Sequence, residues 1–303
     1  MRCDGELVDS EFDGSRVYVE NYSCSGIGTH EVIVLTEGSH YQLFVFGEVN
    51  ALAENDVASS NITYDALSTV FKDIEEHNID DVICLGDIVG YGPEPEKCID
   101  LIEKRCRCVI RGNHDHALIK GPVGFSFLAH EAIKCIEKRM KPHLFSFTKK
   151  KRWKFIKNLP YGMEEGETLY VHASPREPLN EYIFGDNTFM FSPESLEENF
   201  SLIEKYCFVG HTHHPVIILD DFKCIYPYGE KFEYEIPKDR KSIVNIGSVG
   251  QPRDRDNRSS YVIVDEAKVI YRRISYDITA VIEKIEAISC IDNRCGTRLL
   301  EGK

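Results

Sequence analysis

The sequence has no apolar run that approaches the ~20 residues of a membrane-spanning helix, and it is poor in positive charge. Lys and Arg total 36 against 50 Asp and Glu, which gives a formal net charge of −14. This balance argues against a broad nucleic-acid or anionic-membrane surface, so an anionic ligand must be attracted locally. The acidic stretch 1–14 also lacks the basic and then apolar pattern of a secretory signal, and we expect a cytosolic protein.

The cysteines show no paired spacing of the kind that binds a structural zinc ion. There are 11 of them, an odd number, and they are scattered from Cys3 to Cys295. We therefore expect free, mostly buried thiols rather than disulfides or a cysteine-bound metal.

No internal repeat, low-complexity tract or Pro/Gly/Ser-rich linker interrupts the 303 residues, so we predict one main domain over residues 41–303. Within it, short β-rich apolar runs alternate with amphipathic helical patterns, which is typical of an α/β fold. The first strands are predicted at 41–46, 81–85 and 106–110.

Residues 1–40 are predicted to form an N-terminal extension. Its segments 16–20 and 30–35 are rich in strand-forming residues and would pair as a β-hairpin packed on the core. The sequence does not indicate what this extension does.

Side chains that bind metals follow four of the predicted strands, at the point where each strand ends. The stretches are Gly86-Asp-Ile-Val-Gly90, Gly112-Asn-His-Asp115, Val171-His-Ala173 and Gly210-His-Thr-His213. Taken singly, each has an ordinary explanation as a loop carboxylate, a turn residue or a hydrogen-bonded core histidine. Together, carboxylate, amide and imidazole groups at successive strand ends form a donor mixture that binds Mn, Fe or Zn.

In this order the four stretches resemble the motif set of the calcineurin-like metallophosphoesterases, and most closely the compact prokaryotic branch of small phosphodiesterases and diadenosine tetraphosphatase-like proteins. The resemblance runs from about residue 41 to the end and includes 86–93, 174–180, 247–254 and 299–302. It implies a four-layer αββα sandwich of two mixed β-sheets flanked by helices. It also implies a binuclear metal site at one edge of the strands.

The resemblance assigns metal-binding roles to five of these residues. Asp87 would bridge two divalent ions, Asn113, His172 and His211 would complete the second site, and His213 would bind the first ion. Ions about 3.5–4 Å apart would hold a hydroxide between them as the nucleophile for phosphoester hydrolysis.

Four further residues would act on the substrate. His114 would be the general acid that protonates the leaving group, with Asp115 orienting its imidazole. Arg111 and Arg253 would contact substrate oxygens, although arginines at such positions are also common without this role.

The opening Asp-x-His motif of the family is altered in this chain. The corresponding stretch is Phe46-Gly-Glu-Val-Asn-Ala-Leu52, so Glu48 replaces the Asp and Asn50 replaces the His. An amide oxygen is a poorer ligand than imidazole for zinc-like ions. We therefore expect a weak, displaced or empty first site, with Mn as the preferred metal and Fe, Zn or Mg as alternatives.

An extra segment, 53–60, follows this motif and would enlarge a loop beside the metal edge. Its acidic residues Glu54 and Asp56 are expected to lie in solvent rather than to replace a ligand.

The basic run Lys149-Lys-Lys-Arg152 next to Trp153 has two interpretations. It could be a nucleic-acid patch with an aromatic residue. We favour the solvent-facing side of a helix whose Trp153 and Ile156 pack inward.

The leading hypothesis is metal-dependent hydrolysis of a small or nucleotide-like phosphate ester, by phosphodiesterase or phosphatase action. The alternative is a weakened or inactive scaffold with the same fold, as in the retromer subunit of this superfamily, and the change to Glu48 and Asn50 motivates it. His114 favours the enzyme because that scaffold lacks the corresponding histidine. A protein serine/threonine phosphatase is disfavoured by the compact chain, and substrate identity and oligomeric state are not predicted.

Overall fold

The computed structural model describes strands within residues 10–46, and then residues 63–79, 81–185, 193–265 and 268–303. The chain divides into two compact units, residues 1–56 and 57–303. Glu48, Asn50 and the segment 53–60 lie outside the described residues, so the predictions made for them stay predictions.

The first unit contains a four-stranded antiparallel sheet in the order β1-β2-β3-β4. Its strands are β1 Ser10–Phe12, β2 Arg16–Cys24, β3 Ile27–Glu37 and β4 His40–Phe46. The two segments expected to form a hairpin lie in β2 and β3, which are neighbours with Arg16 opposite Leu35. The boundary near residue 40 and the packing of the extension on the core stay predictions.

The described residues of the second unit form helices and short strands. The helices are α1 Tyr64–Glu76, α2 Pro95–Arg105, α3 Asn113–Lys120, α4 Phe127–Met140, α5 Phe147–Lys157, α6 Pro193–Ser201, α7 Ile278–Glu286, α8 Arg294–Thr297 and a 3₁₀ helix Arg298–Glu301. The strands are β5 Ile83–Cys84, β6 Cys108–Val109, β7 Gly162–Glu165, β8 Thr168–Val171, β9 Tyr206–Val209, β10 Val216–Leu219, β11 Cys224–Ile225, β12 Lys231–Glu235, β13 Ser242–Asn245, β14 Ser259–Asp265 and β15 Lys268–Ile274. No helix among these is long and apolar enough to cross a membrane.

The described strands of this unit form three sheets. The largest is mixed and has the order β11-β10-β13-β9-β8-β7, with β13, β9 and β8 parallel to one another. The second is antiparallel in the order β12-β15-β14, and the third is the parallel pair β5-β6. Because parallel strands end at the same edge, the residues after β8 and β9 meet at one side of the sheet, and so do those after β5 and β6.

The strands β9, β10 and β13 of the large sheet are buried on both faces, and their alternate residues enter two different cores. The core between the sheets contains Leu85, Ile110, Phe208, Ile217, Val244 and Tyr271. The core beneath α6 contains Phe200, Val209, Val216, Ile218 and Ile243. A third core packs helices over β6 and β14 through Val70, Ile99, Val109, Ile156 and Tyr261. The succession of helix, sheet, sheet and helix confirms the predicted four-layer α/β architecture.

The basic run lies in α5 as a helix face. Ile156 is fully buried and Trp153 is half-buried against the same core, so their inward packing is confirmed. Arg152 and Lys151 pair with Asp100 and Glu103 respectively. The expected lack of a nucleic-acid surface stays a prediction.

The prediction of free thiols is wrong at one pair, because Cys135 and Cys290 form a disulfide. Cys135 is on α4, and the two residues are 155 positions apart in sequence, so no local spacing signals the bond. Seven other described cysteines form no disulfide, and Cys98, Cys207 and Cys295 among them are buried.

Candidate metal site

The predicted ligands that the structure describes follow strand ends and are buried. Asp87 follows β5, Asn113 begins α3 just after β6, His172 directly follows β8, and His211 and His213 follow β9. None of the five is more than 5% exposed. Burial of so many polar groups at one edge requires partners for them, which are hydrogen bonds or a cation.

Three donor atoms surround the Nε2 atom of His172. It lies 3.2 Å from Asn113 Oδ1, 3.2 Å from His211 Nδ1 and 3.3 Å from Asp87 Oδ2. Ligands at ~2.1 Å from a common metal are ~3–3.5 Å apart from one another in octahedral or tetrahedral sites, so these separations fit a ligand cluster.

The other ring nitrogen of His172 fixes the chemistry of this cluster. Nδ1 donates to the carbonyl oxygen of Leu85 at 2.7 Å, so the neutral ring directs the lone pair of Nε2 toward Asp87 and Asn113. The oxygens of Asp87 and Asn113 and the lone pair of His172 Nε2 would repel one another. This repulsion is relieved either by a proton on Nε2 or by a cation between the three atoms. A hydrogen bond from the second ring nitrogen to a backbone carbonyl is also the usual support for a histidine that binds a metal.

His213 has the same kind of support from a backbone carbonyl. Its Nδ1 donates to the carbonyl oxygen of Gln251 at 2.5 Å, and within the described residues its Nε2 has no hydrogen-bond partner. Asp87 Oδ2 also lacks a hydrogen-bond partner there. Orphaned buried atoms of this kind are suited to a bound ion.

The described carboxylate and imidazole groups alone do not make up a recognisable metal site, and the amide of Asn113 lies beside them. Within the described residues, no group of three His, Cys, Asp or Glu side chains is arranged to hold a metal ion on its own. The structure brings Asp87, Asn113 and His211 together around His172, and their roles as metal ligands stay predictions. His213 forms no hydrogen bond to these four.

The electrostatics of the cluster favour neutral imidazoles at His211 and His213 and an ionised carboxylate at Asp87. Burial lowers the pKa of His211 and His213 well below the usual range, and the neighbouring His172 and Arg253 act in the same direction. Burial opposes ionisation of Asp87, but His172 lowers its pKa overall. Burial opposes protonation of His172, but the Asp87 carboxylate raises its pKa. A cation in this position would replace that proton.

The backbone at these turns is unusual. Asp87, His211 and His213 have φ values of 56°, 50° and 61°, the left-handed region that non-glycine residues rarely adopt. Such conformations cost free energy and are concentrated at functional sites. Gly86 is required because a Cβ there would lie 2.3 Å from the backbone nitrogen of Gly112.

Asp115 was predicted to orient the imidazole of His114, but the described residues show no hydrogen bond between these two side chains. Neither ring nitrogen of His114 has a hydrogen-bond partner in the described part of the chain. The Asp115 carboxylate instead accepts backbone N–H bonds from Asp87, Ile88, Val89 and Gly112, at 2.7, 3.0, 3.2 and 3.1 Å. It therefore joins the loop after β5 to the loop after β6.

His114 lies between two aromatic rings. Its ring centroid is 5.1 Å from that of Tyr91 and 4.9 Å from that of Phe125. Its backbone N–H donates to Asp87 Oδ1 at 2.8 Å, which places it next to the ligand cluster. Burial lowers the pKa of His114 to about 4, although the Asp87 carboxylate opposes this shift.

The two predicted substrate arginines have protein partners. Arg111 donates to the Tyr161 hydroxyl at 3.0 Å and to the Lys157 carbonyl at 2.6 Å. Arg253 donates to the side-chain oxygen of Gln251 through Nη2 at 2.6 Å. Their contact with a substrate stays a prediction.

Sequence reasoning missed two neighbours of the histidines. The ring of Tyr182 stacks on His211 with 4.2 Å between centroids and 22° between planes. Gln251 supports His213 and also contacts Arg253. Gln251 lies within 247–254, one of the stretches that resemble the family, so the sequence did contain a signal for it. No motif pointed to Tyr182.

Comparisons with known proteins place the chain next to one family and several relatives. The family model described as calcineurin-like phosphoesterase matches residues 40–231, more than half of the chain. The uncharacterized protein MJ0912 of Methanocaldococcus jannaschii is 33% identical over 229 residues, which are 73% of this chain and 86% of that protein.

Two solved structures are also similar. The metallophosphoesterase from Sphaerobacter thermophilus superimposes with a TM-score of 0.68 at 29% identity, covering 80% of this chain and 97% of that one. The hypothetical protein PH1004 from Pyrococcus horikoshii OT3 has a TM-score of 0.62 at 19% identity, with 82% and 98% covered. At that identity the second likeness shows the fold alone.

Proposed function

Because the chain belongs to the calcineurin-like phosphoesterase family, a family that hydrolyses phosphoesters, we propose that it is a metal-dependent hydrolase of a small or nucleotide-like phosphate ester. The proposal covers phosphodiesterase and phosphatase action. It also includes a cytosolic site of action.

The observation that carries the proposal is the convergence of Asp87, Asn113 and His211 on His172 Nε2, at 3.2–3.3 Å. The family usually binds divalent metals in a binuclear site. In this chain the four residues would hold one ion, and His213 would contribute to the other; the ligand roles predicted for Glu48 and Asn50 stay predictions from the sequence. Mn is the metal we favour, because carboxylate, amide and imidazole donors suit it.

Divalent ions, when bound, would supply an activated water and neutralise the charge of the phosphoryl oxygens. The protein's own contribution is to fix the donors. Asp115 joins the two loops that carry Asp87 and Asn113, and Leu85 and Gln251 fix the tautomers of His172 and His213.

His114 would protonate the leaving oxygen of the ester. It is adjacent in sequence to Asn113, its backbone touches Asp87, and its imidazole forms no hydrogen bond to the described residues. In the free protein burial holds the pKa of this imidazole at about 4, so the ring is neutral at neutral pH. A bound anionic phosphate would raise this pKa, because a nearby negative charge favours the protonated form.

The test begins with protein stripped by a chelator and reloaded separately with Mn, Mg, Fe or Zn. Hydrolysis of an alkyl phosphodiester and of an alkyl phosphomonoester, whose leaving alkoxides need a proton, is then measured for the wild type, His114→Ala and the control His130→Ala. His130 is a suitable control because its side chain is 42% exposed on α4. We expect turnover that requires a metal, falls in His114→Ala and is kept in His130→Ala.

The scaffold alternative makes the opposite prediction. It is motivated by Glu48 and Asn50, which replace the usual Asp and His of the family's first motif. Absence of turnover with every metal, in protein that remains folded, would overturn the hydrolase proposal in favour of the scaffold.

A further inference from the structure

Positive charge is concentrated in one stretch of this acidic chain. Residues 138–157 contain nine Lys or Arg and no Asp or Glu, although the whole chain has a formal net charge of −14. The stretch covers the end of α4, the connection to α5 and α5 itself. The uneven distribution therefore gives a local basic surface to a protein whose overall charge repels anionic surfaces.

Three large apolar side chains protrude where α4 connects to α5. Leu144 is 74% exposed, and Phe145 and Phe147 are each 78% exposed. Single apolar residues on a surface need no explanation, but three within four positions form a patch of the kind that marks an interaction site. We call these three residues the apolar tip.

The exposed face of α5 extends the apolar tip with positive charge. Phe147, Lys150 and Lys154 are three or four positions apart, are all exposed, and lie on the face opposite the buried Ile156. Lys150 joins the charge to the tip. Its Nζ donates to the carbonyl oxygen of Leu144 at 2.6 Å and lies 5.8 Å from the ring centroid of Phe147.

The charges on this face differ from those beside it on the same helix. Lys151 and Arg152 pair with carboxylates of α2 and are neutralised. Within the described part of the chain, neither Lys150 nor Lys154 forms an ion pair. Their charge is consequently open to an anion outside the protein.

We propose that the apolar tip, with Lys150 and Lys154, is a docking site for an anionic phospholipid membrane. The tip would enter the boundary between headgroups and acyl chains, and the lysines would lie among the headgroups, as in interfacial helices that combine basic residues with Phe and Leu. Each lysine near an anionic membrane raises affinity about fivefold, and each Phe or Leu removed from water adds about tenfold. This docking does not depend on hydrolytic activity.

Nucleic acid and a second copy of the chain are the competing partners. Nucleic acid fits less well because Trp153, the aromatic residue within the basic run, packs against the core, and Leu144 has no ring that could stack on a base. A symmetric contact between two copies would bring the same lysines together, and like charges across an interface repel. A membrane accepts both the apolar tip and the charge.

The test is cosedimentation of the full chain with vesicles. One set consists of phosphatidylcholine with about 30% phosphatidylserine, and the other of phosphatidylcholine alone. We expect saturable binding to the anionic vesicles, at least about tenfold weaker binding to the neutral vesicles, and release from the anionic vesicles at high salt.

Two double variants separate the apolar and the charged parts of the site. Phe145→Ser with Phe147→Ser removes two rings of the tip, and Lys150→Gln with Lys154→Gln removes the two charges. Each double variant should bind the anionic vesicles at least about tenfold more weakly than the wild type. Circular dichroism checks that both variants remain folded.

Matched controls make the same kinds of change elsewhere on the surface. Leu202→Ser with Tyr228→Ser removes apolar side chains that are 53% and 78% exposed. Lys231→Gln with Lys268→Gln removes two charges from β12 and β15, at side chains that are 53% and 43% exposed. Both controls should bind the anionic vesicles like the wild type.

Absence of binding to the anionic vesicles, or equal binding to both kinds of vesicle, would overturn the membrane site even if a variant fails to fold. Unchanged binding in the folded variant Phe145→Ser with Phe147→Ser would also overturn it. Binding to a double-stranded DNA oligomer without binding to vesicles would assign the charge to nucleic acid instead. Self-association in analytical ultracentrifugation that this variant abolishes, without vesicle binding, would assign the tip to a second copy.

Discussion

The carboxylate of Asp115 accepts a hydrogen bond from the backbone N–H of Asp87, with 2.7 Å between Oδ2 and N. Asp87 follows β5, whereas Asp115 lies in the first turn of α3 after β6. The position of a predicted metal ligand is therefore fixed by a carboxylate that is not itself a predicted ligand. Supporting groups of this kind tune metal sites as strongly as many direct ligands.

We predict that Asp115→Asn weakens metal binding about 10- to 100-fold, because an amide cannot accept all of the N–H bonds that the carboxylate accepts. Metal affinity of stripped protein is measured by calorimetry, together with kcat and KM at saturating metal. Asp292→Asn, at a more exposed side chain paired with Arg294, is the control and should bind metal normally. Unchanged metal affinity in Asp115→Asn would show that Asp115 does not position Asp87.

His114→Ala should slow hydrolysis according to the leaving group. With an alkyl ester, whose alkoxide must be protonated, we expect a loss of about 10²- to 10⁴-fold in kcat. With a nitrophenyl ester the loss should be much smaller, since nitrophenolate departs without a proton. Equal losses for the two esters would exclude His114 as the general acid and would indicate a role in holding the phosphate.

Asp73 on α1 is expected to stabilise the fold by an ion pair that depends on pH. It accepts two bonds of 2.6 Å from Arg272 of β15 and one from the Tyr261 hydroxyl of β14. Burial opposes ionisation of Asp73, but Arg272 and Tyr261 lower its pKa below 3.8. The folded state thus binds fewer protons than the unfolded state, so this stabilisation is present above about pH 4 and is lost as the pH falls through the folded pKa.

We predict that Asp73→Asn lowers the free energy of unfolding by about 2–3 kcal/mol at neutral pH, because it leaves Arg272 without its charged partner. Urea unfolding at several pH values should show the difference from wild type shrinking below about pH 4. The control Asp100→Asn removes an exposed pair with Arg152 and should cost less than about 1 kcal/mol. A difference that stays constant down to pH 3 would contradict the assignment.

The disulfide between Cys135 and Cys290 should add about 2–4 kcal/mol to the free energy of unfolding, since it closes a long loop in the unfolded chain. Urea unfolding with and without dithiothreitol measures this contribution. The reductant should destabilise the wild type and have no effect on a variant that carries both Cys135→Ser and Cys290→Ser. Alkylation of Cys135 in denatured, unreduced protein, detected by mass spectrometry, would show that the bond is absent.

Much of the fold and of the ligand cluster could be predicted because the signals are local. Strands such as β8 and β10 are short apolar runs, and the glycines around Asp87 and Asn113 mark the turns that follow two of the strands. The approach of His211 to His172 was predictable because both follow neighbouring parallel strands. Such features follow from the alternation of residues along a strand and from the common direction of neighbouring parallel strands.

The features that could not be predicted depend on which side chains meet after folding. Cys135 and Cys290 are brought together across 155 positions, and nothing in their spacing indicates it. The carboxylate of Asp115 had two plausible targets, the adjacent imidazole of His114 or distant backbone N–H groups, and only the course of the loop decides between them. Tyr182 stacks on His211 because Ile183 is anchored beneath α6, which no sequence motif records.

The most direct test of the metal site is the turnover of a chromogenic phosphodiester by stripped protein as Mn is added, for the wild type beside His172→Ala. His172 is the residue on which the other three donors converge, and the substitution removes that centre. We predict saturable, Mn-dependent turnover in the wild type and a loss of at least about 100-fold in His172→Ala. Turnover without any metal, or turnover in His172→Ala equal to that of the wild type, would contradict the assignment of this cluster as the catalytic metal centre.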